Sequence, residues 1–177
     1  MKKIKSLFSA ALLSCCALLF SASSNAVVIT TNVNLGGIDF ATIETNLDDS
    51  LVGSGLGLVS TFDAVGFDLV DLYVPIADGF DPFTWWFEAI IDVDNIMAGV
   101  EFVTFDVEDS DGWLYYLYAD SAFVDSSYGS IYDVSSGYLF EAFGSDVQLT
   151  STIDVPEPAL FGLFAIAFAG MVLRRRV

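Results

Sequence analysis

The chain has 177 residues, 54% of them hydrophobic and 15% aromatic, with 24 acidic side chains, 6 basic ones and no histidine. A formal net charge of −18 excludes nucleic acid and acidic membrane surfaces as partners, because both repel such a chain. The apolar and aromatic content excludes a disordered polymer.

Residues 1–26 open with Lys2, Lys3 and Lys5, continue through an apolar core and end on small residues. A basic start, an apolar stretch and a small-x-small exit are the marks of a secretory signal. Ser24 and Ala26 suit positions −3 and −1 of a cut between Ala26 and Val27. The alternatives are an uncleaved anchor, for which the core is short, and a lipoprotein cut before Cys15. Cys15 and Cys16 are the only cysteines. With the signal removed, the chain has no disulfide and no thiol chemistry.

Residues 27–155 read as one acidic β-rich domain. All 6 basic residues lie in the two end segments, and of the 24 acidic ones only Glu157 lies beyond Val155, leaving 23 in the body. Side-chain salt bridges within the body are therefore impossible. Period-two patterning recurs in "VVITTNVN", "IDFATIET", "VGFDLVDLYV", "WWFEAIIDVD", "VEFVTFDVE", "WLYYLYA", "YLFEAF" and "VQLTSTI". In "WWFEAIIDVD" it sets Trp85, Phe87, Ala89, Ile91 and Val93 against Trp86, Glu88, Ile90, Asp92 and Asp94. Turn signals separate the runs, among them Gly36-Gly37, Asp111-Gly112 and Ser135-Ser136-Gly137. Short alternating runs between turns predict an all-β fold, an antiparallel β-sandwich of jelly-roll-like form. The stretch around Trp85 could also form a short helix.

Two constellations carry chemical interest. "FDVEDSDGW" gathers Asp106, Glu108, Asp109 and Asp111 beside Gly112. Clustered oxygens on a turn suit Ca²⁺, with Asp109 and Asp111 as main ligands and Asp106 and Glu108 as helpers. The competing reading is a plain hairpin, because Asp-Gly between alternating runs is a turn signal. Asp92, Asp94 and Asn95 form a weaker cluster. The aromatics of "FTWW" and "WLYYLY" offer flat surfaces on which sugars could stack, or serve as core and cross-strand partners. Catalysis has little to work with. Without histidine there is no Ser-His-Asp triad, and without a body lysine no Schiff base. Only carboxylate pairs remain, so the reading is a non-enzyme.

The tail begins with Pro156-Glu157-Pro158, continues as the uncharged run Ala159–Leu173 and ends on Arg174, Arg175 and Arg176. As a helix, that run would be about 22 Å long, short of a bilayer core of about 30 Å unless the arginines snorkel. The arginines would remain cytoplasmic, which puts residues 27–155 outside the inner membrane. This order of proline triplet, apolar helix and terminal arginine cluster resembles the PEP-CTERM sorting signal. The resemblance covers residues 155–177. It implies a precursor held transiently in the inner membrane of a Gram-negative bacterium and processed by an exosortase near the triplet. It further implies delivery to the cell surface or to an exopolysaccharide matrix. The expected organisation is a signal helix over 1–26, the β-domain over 27–155 and the sorting segment with its transmembrane helix over 156–177. The expected function is a structural or adhesive surface protein of a biofilm or extracellular matrix, with a small Ca²⁺-supported carbohydrate-binding module as the alternative.

Overall fold

The computed structural model describes residues 26–75, 83–133 and 135–155. The expected signal helix and transmembrane helix lie outside these residues. Ten strands follow in order: β1 (Ala26–Leu35), β2 (Ile38–Asp48), β3 (Leu58–Ser60), β4 (Phe67–Tyr73), β5 (Phe83–Asp92), β6 (Val100–Glu108), β7 (Trp113–Asp120), β8 (Tyr128–Asp133), β9 (Gly137–Phe143) and β10 (Val147–Asp154). They form a small sheet of 4 strands, ordered β10-β1-β2-β4, and a large one of 6, ordered β3-β5-β6-β7-β8-β9. Every pairing is antiparallel. Residues Ala26–Val155 make one compact unit.

The alternation seen in sequence explains the layering. Val27, Ile29, Val33 and Leu35 of β1 point inward with Phe40, Ile43 and Leu47 of β2. They meet Val103, Phe105 and Val107 of β6 and Tyr115, Leu117 and Ala119 of β7. At the centre, Phe40 of the small sheet stacks on Phe105 of the large one, with ring centroids 5.8 Å apart. Gly36 and Gly37 both take positive φ, +57° and +91°, as the tightest hairpin turns require, and so bring β1 back along β2.

The jelly-roll expectation is corrected. A jelly roll is built from two Greek keys. Here β5 to β9 are successive neighbours in one sheet, an up-and-down meander. The reason is loop length. A connection as short as Asp109–Gly112 between β6 and β7 can reach the adjacent strand about 5 Å away, not the opposite sheet about 10 Å away. The possible helix around Trp85 is likewise a strand, β5. Of its expected inward set Ala89 and Ile91 are buried, as is Val93 just past its end, and Phe87 is half-buried, but Trp85 is 61% exposed. The pairing with β6 slips between Thr84 and Trp86. This bulge breaks the strict period of two and turns Trp85 out.

Candidate functional site

Alternation leaves one side of the large sheet facing solvent. From β5 to β9, Trp86, Asp106, Tyr116, Ser130 and Glu141 lie in register in one row. The next row is Glu88, Thr104, Tyr118, Tyr128 and Phe143. Thr104 and Ser130 are small and buried, so they form the floor between large neighbours. Trp86, Tyr116 and Phe143 stand 49%, 37% and 60% exposed. Tyr128 links two of these rings, with its centroid 5.8 Å from Tyr116 and 5.0 Å from Phe143. Phe62 packs on Trp86 at 4.6 Å, and Phe102 meets Tyr118 edge-on at 5.2 Å. The result is a ribbon of aromatic rings across several strands.

Carboxylates are set between the rings. The Tyr128 hydroxyl donates to Glu141 Oε1 at 3.0 Å, Trp85 Nε1 to Glu108 Oε2 at 3.1 Å, and Ser60 Oγ to Glu88 Oε1 at 2.8 Å. Asp106 is half-buried between Trp86 and Tyr116. Burial pushes its carboxyl above the ordinary value, and the neighbouring Glu108 charge adds to the effect. Burial also raises the Tyr128 phenol, with Glu141 contributing. The body has no lysine, arginine or histidine to compensate these charges. The opposite outer face, on the small sheet, mixes the hydroxyls and amides of Thr30, Asn32, Thr42, Asn46, Thr150 and Thr152 with the carboxylates Glu44, Asp68 and Asp71 in the same rows.

The four carboxylates considered for Ca²⁺ do not converge. Asp106 and Glu108 leave β6 on the outer face, while Asp109 turns back into its own hairpin. Its Oδ1 accepts the N–H groups of Asp111 and Trp113, both at 2.9 Å, and its Oδ2 accepts the Tyr115 hydroxyl at 2.8 Å. Asp111 is exposed at the tip of the turn. Among the described residues no group of three or more carboxylates is placed to hold a metal ion. Asp94 likewise serves the backbone, accepting Gly55 N–H at 2.7 Å and Gly57 N–H at 3.0 Å.

A common device underlies this. Asp48, Asp92, Asp120 and Asp133, each the last residue of a strand, and Asp109, just past the end of β6, accept the N–H two residues on. Such turns are what a short carboxylate side chain does well, and they compensate charge with backbone donors where no basic side chain exists. The effect is strongest at Asp133, whose carboxyl is lowered to about 2 by the Ser136 and Ser135 hydroxyls and the Ser135 N–H. Hydrogen bonds from Ser50 lower Asp48 in the same way. Asp109→Ala is therefore expected to destabilise the domain by at least about 2 kcal/mol, since it removes three hydrogen bonds to a charged acceptor, which are worth roughly 1.5–3 kcal/mol each when buried and less at this part-exposed turn. Urea unfolding of the processed protein checks this. An unchanged midpoint would show that Asp109 does not anchor the turn.

Sequence reasoning missed part of the face. "YGSIYD" was not among the expected strands, because Gly129 and Ser130 interrupt its apolar pattern. The signal was present in the alternation of Tyr128, Ser130 and Tyr132 against Gly129 and Ile131. Of the expected stacking aromatics, "WLYYLY" divides: Tyr115 and Leu117 are buried in the core, whereas Tyr116 and Tyr118 join the outer face.

The sorting residues Pro156, Glu157, Pro158, Arg174, Arg175 and Arg176 lie outside the described residues. Strand β10 ends at Asp154, paired with Val28 of β1, two residues before the triplet. Residues 154–176 match a family model described as the PEP-CTERM protein-sorting motif. The tail carries a PEP-CTERM motif. A PEP-CTERM tail marks its carrier for exosortase processing and for sorting out of the cell. Its match occupies the tail alone, so it says nothing about the fold it follows. No curated protein and no solved structure matches the chain. Among the described residues no helix is long and apolar enough to cross a membrane.

Proposed function

We propose that the processed chain is a structural and adhesive protein of the extracellular matrix, not an enzyme, and that it holds polysaccharide on the outer face of its large sheet. The observation that carries this is the ribbon Tyr116–Tyr128–Phe143 with Trp86, interleaved with carboxylates, on a chain whose tail sends it outside. Aromatic rings offer apolar planes to the C–H faces of sugars, and carboxylates accept hydrogen bonds from hydroxyls. The alternative, a carbohydrate-binding module dependent on Ca²⁺, has the same rings in its favour but no convergent carboxylates.

Processing fits this placement. A cut between Ala26 and Val27 would leave β1 beginning on a core residue, since Val27 is buried. Val28, next to the proposed first cut, pairs with Asp154, two residues before the triplet.

The test follows the protein to its destination. Intact mass of the chain recovered from the matrix is expected to start at Val27 and end near Pro156-Glu157-Pro158. Pro156→Ala with Pro158→Ala is expected to leave it at the inner membrane. Trp86→Ala with Tyr116→Ala should leave sorting intact and release the processed protein into the medium. Recovery of Arg176 from the matrix would overturn the processing, and full matrix retention of the ring variant would overturn the adhesive role.

A further inference from the structure

We propose that the polymer held by this face is a polysaccharide of amino sugars with free, protonated amines. The inference rests on the glycan-binding reading above and narrows its ligand class. Three observations lead to it.

Charge is the first. With 23 carboxylates and no basic residue in the body, a uronic-acid or sulfated polymer is repelled wherever it approaches, and specificity against anionic matrix polymers is built in.

The second is the arrangement within the row. Asp106 and Glu141 lie on β6 and β9, either side of Tyr116 and Ser130. Three strand spacings separate them, about 14 Å. The full row from Trp86 to Glu141 covers about 19 Å by the same spacing. That length suits a segment of chain with several sugars rather than a single one. Ammonium groups along such a segment would meet carboxylates at intervals and ring faces between them. Both contacts attract a cation: the carboxylate through a charge-assisted hydrogen bond, the ring through its quadrupole.

The third is what a neutral glycan would leave undone. Asp106 is half-buried beside Glu108 on the same face of β6. A neutral polymer covering them would strip water from like charges and return only hydroxyl hydrogen bonds, whereas an amine-bearing one neutralises them.

The test measures binding of the processed protein by calorimetry to four probes: glucosamine oligomers, N-acetylglucosamine oligomers, glucuronic acid oligomers and polylysine. Glucosamine oligomers are expected to bind about tenfold tighter than the acetylated ones, the size of one cation–π or charge-assisted contact. The gap should narrow as salt screens the charges. Asp106→Asn with Glu141→Gln should erase the preference by weakening the glucosamine oligomers much more than the acetylated ones, which lose only hydroxyl hydrogen bonds to these carboxylates. Trp86→Ala with Tyr116→Ala should weaken both, and Trp86→Phe with Tyr116→Phe, which keep the rings, should restore both. Unaltered thermal midpoints serve as the check on folding. Equal affinity for amine and acetylated oligomers would overturn the amine assignment while sparing the glycan-binding reading. Binding of no oligomer would overturn both. Polylysine displacing glucosamine oligomers at equal charge concentration would also overturn the assignment, because the face would then be a general cation surface.

Discussion

Phe105→Ala is expected to cost about 3–5 kcal/mol, the range for emptying a buried aromatic site. Phe105 is fully buried at the centre of the large sheet. Its ring lies nearly parallel to that of Phe40, at 12° and 5.8 Å, and Phe40 also meets Tyr115 at 6.4 Å. These three rings join the two sheets, because Phe40 comes from β2 and the others from β6 and β7. Removing the Phe105 ring leaves a void against Phe40, between sheets whose backbones are held by their own hydrogen bonds and cannot close on it. A typical domain is stable by only about 5–15 kcal/mol, so the loss is a large fraction of the whole. In urea the midpoint should fall with the slope unchanged, and Phe105→Leu should lose less. A loss under about 1 kcal/mol, the ordinary size for any substitution, would mean that the sheets are not joined there.

Gly99→Ala is expected to cost about 4 kcal/mol through two separate mechanisms. Gly99 follows a short 3-10 turn at Ile96–Ala98 and takes φ +83° and ψ −165°, a region open essentially to glycine alone and costly by about 1–3 kcal/mol for other residues. A β-carbon there would also stand 2.5 Å from Ser151 Cβ and 2.7 Å from its Oγ. Ser151 cannot simply turn away. Its Oγ accepts the Val100 N–H at 3.1 Å and shares a hydrogen bond with Thr31 Oγ1 at 3.0 Å, tying the start of β6 to the edge strand β10. Relieving the overlap therefore shifts backbone or breaks those bonds, at about 1–3 kcal/mol for overpacking. Thermal unfolding of the processed variant beside Ser151→Gly with Gly99→Ala separates the terms. Measured against Ser151→Gly alone, which already lacks the Val100 and Thr31 hydrogen bonds, the double variant should show the backbone cost without the overlap cost. If Gly99→Ala melts with the parent protein, both mechanisms are refuted.

The sequence by itself determined the sorting tail, the sign of the charge and the class of the body. A PEP-CTERM tail is read from contiguous residues, Pro156-Glu157-Pro158 and Arg174 to Arg176, so nothing has to fold for it to be legible. The partition of charge is equally local. The inward sets of β6 and β10 were plain because each strand is buried on one side, and a one-sided strand writes its geometry as a period of two.

Only the tertiary structure decided how the strands are ordered, which aromatics share a surface and what the carboxylates do. Strand order depends on which hydrogen-bonding edges meet, and the alternation inside a strand is the same in a meander as in a jelly roll. Trp85 broke its pattern because a bulge is a property of two strands in register, invisible in either one. Tyr116, Tyr128 and Phe143 are distant in sequence, and the pairing of β7 with β8 and of β8 with β9 sets their rings side by side. The cluster at Asp106–Asp111 looked like an ion site because acidic residues next to one another in sequence suggest a shared centre. In the fold, strand alternation sends Asp106 and Glu108 outward, while three hydrogen bonds to its own hairpin hold Asp109. Adjacency in sequence makes residues neighbours, but the direction of a side chain is set by the strand that carries it and the donors that reach it.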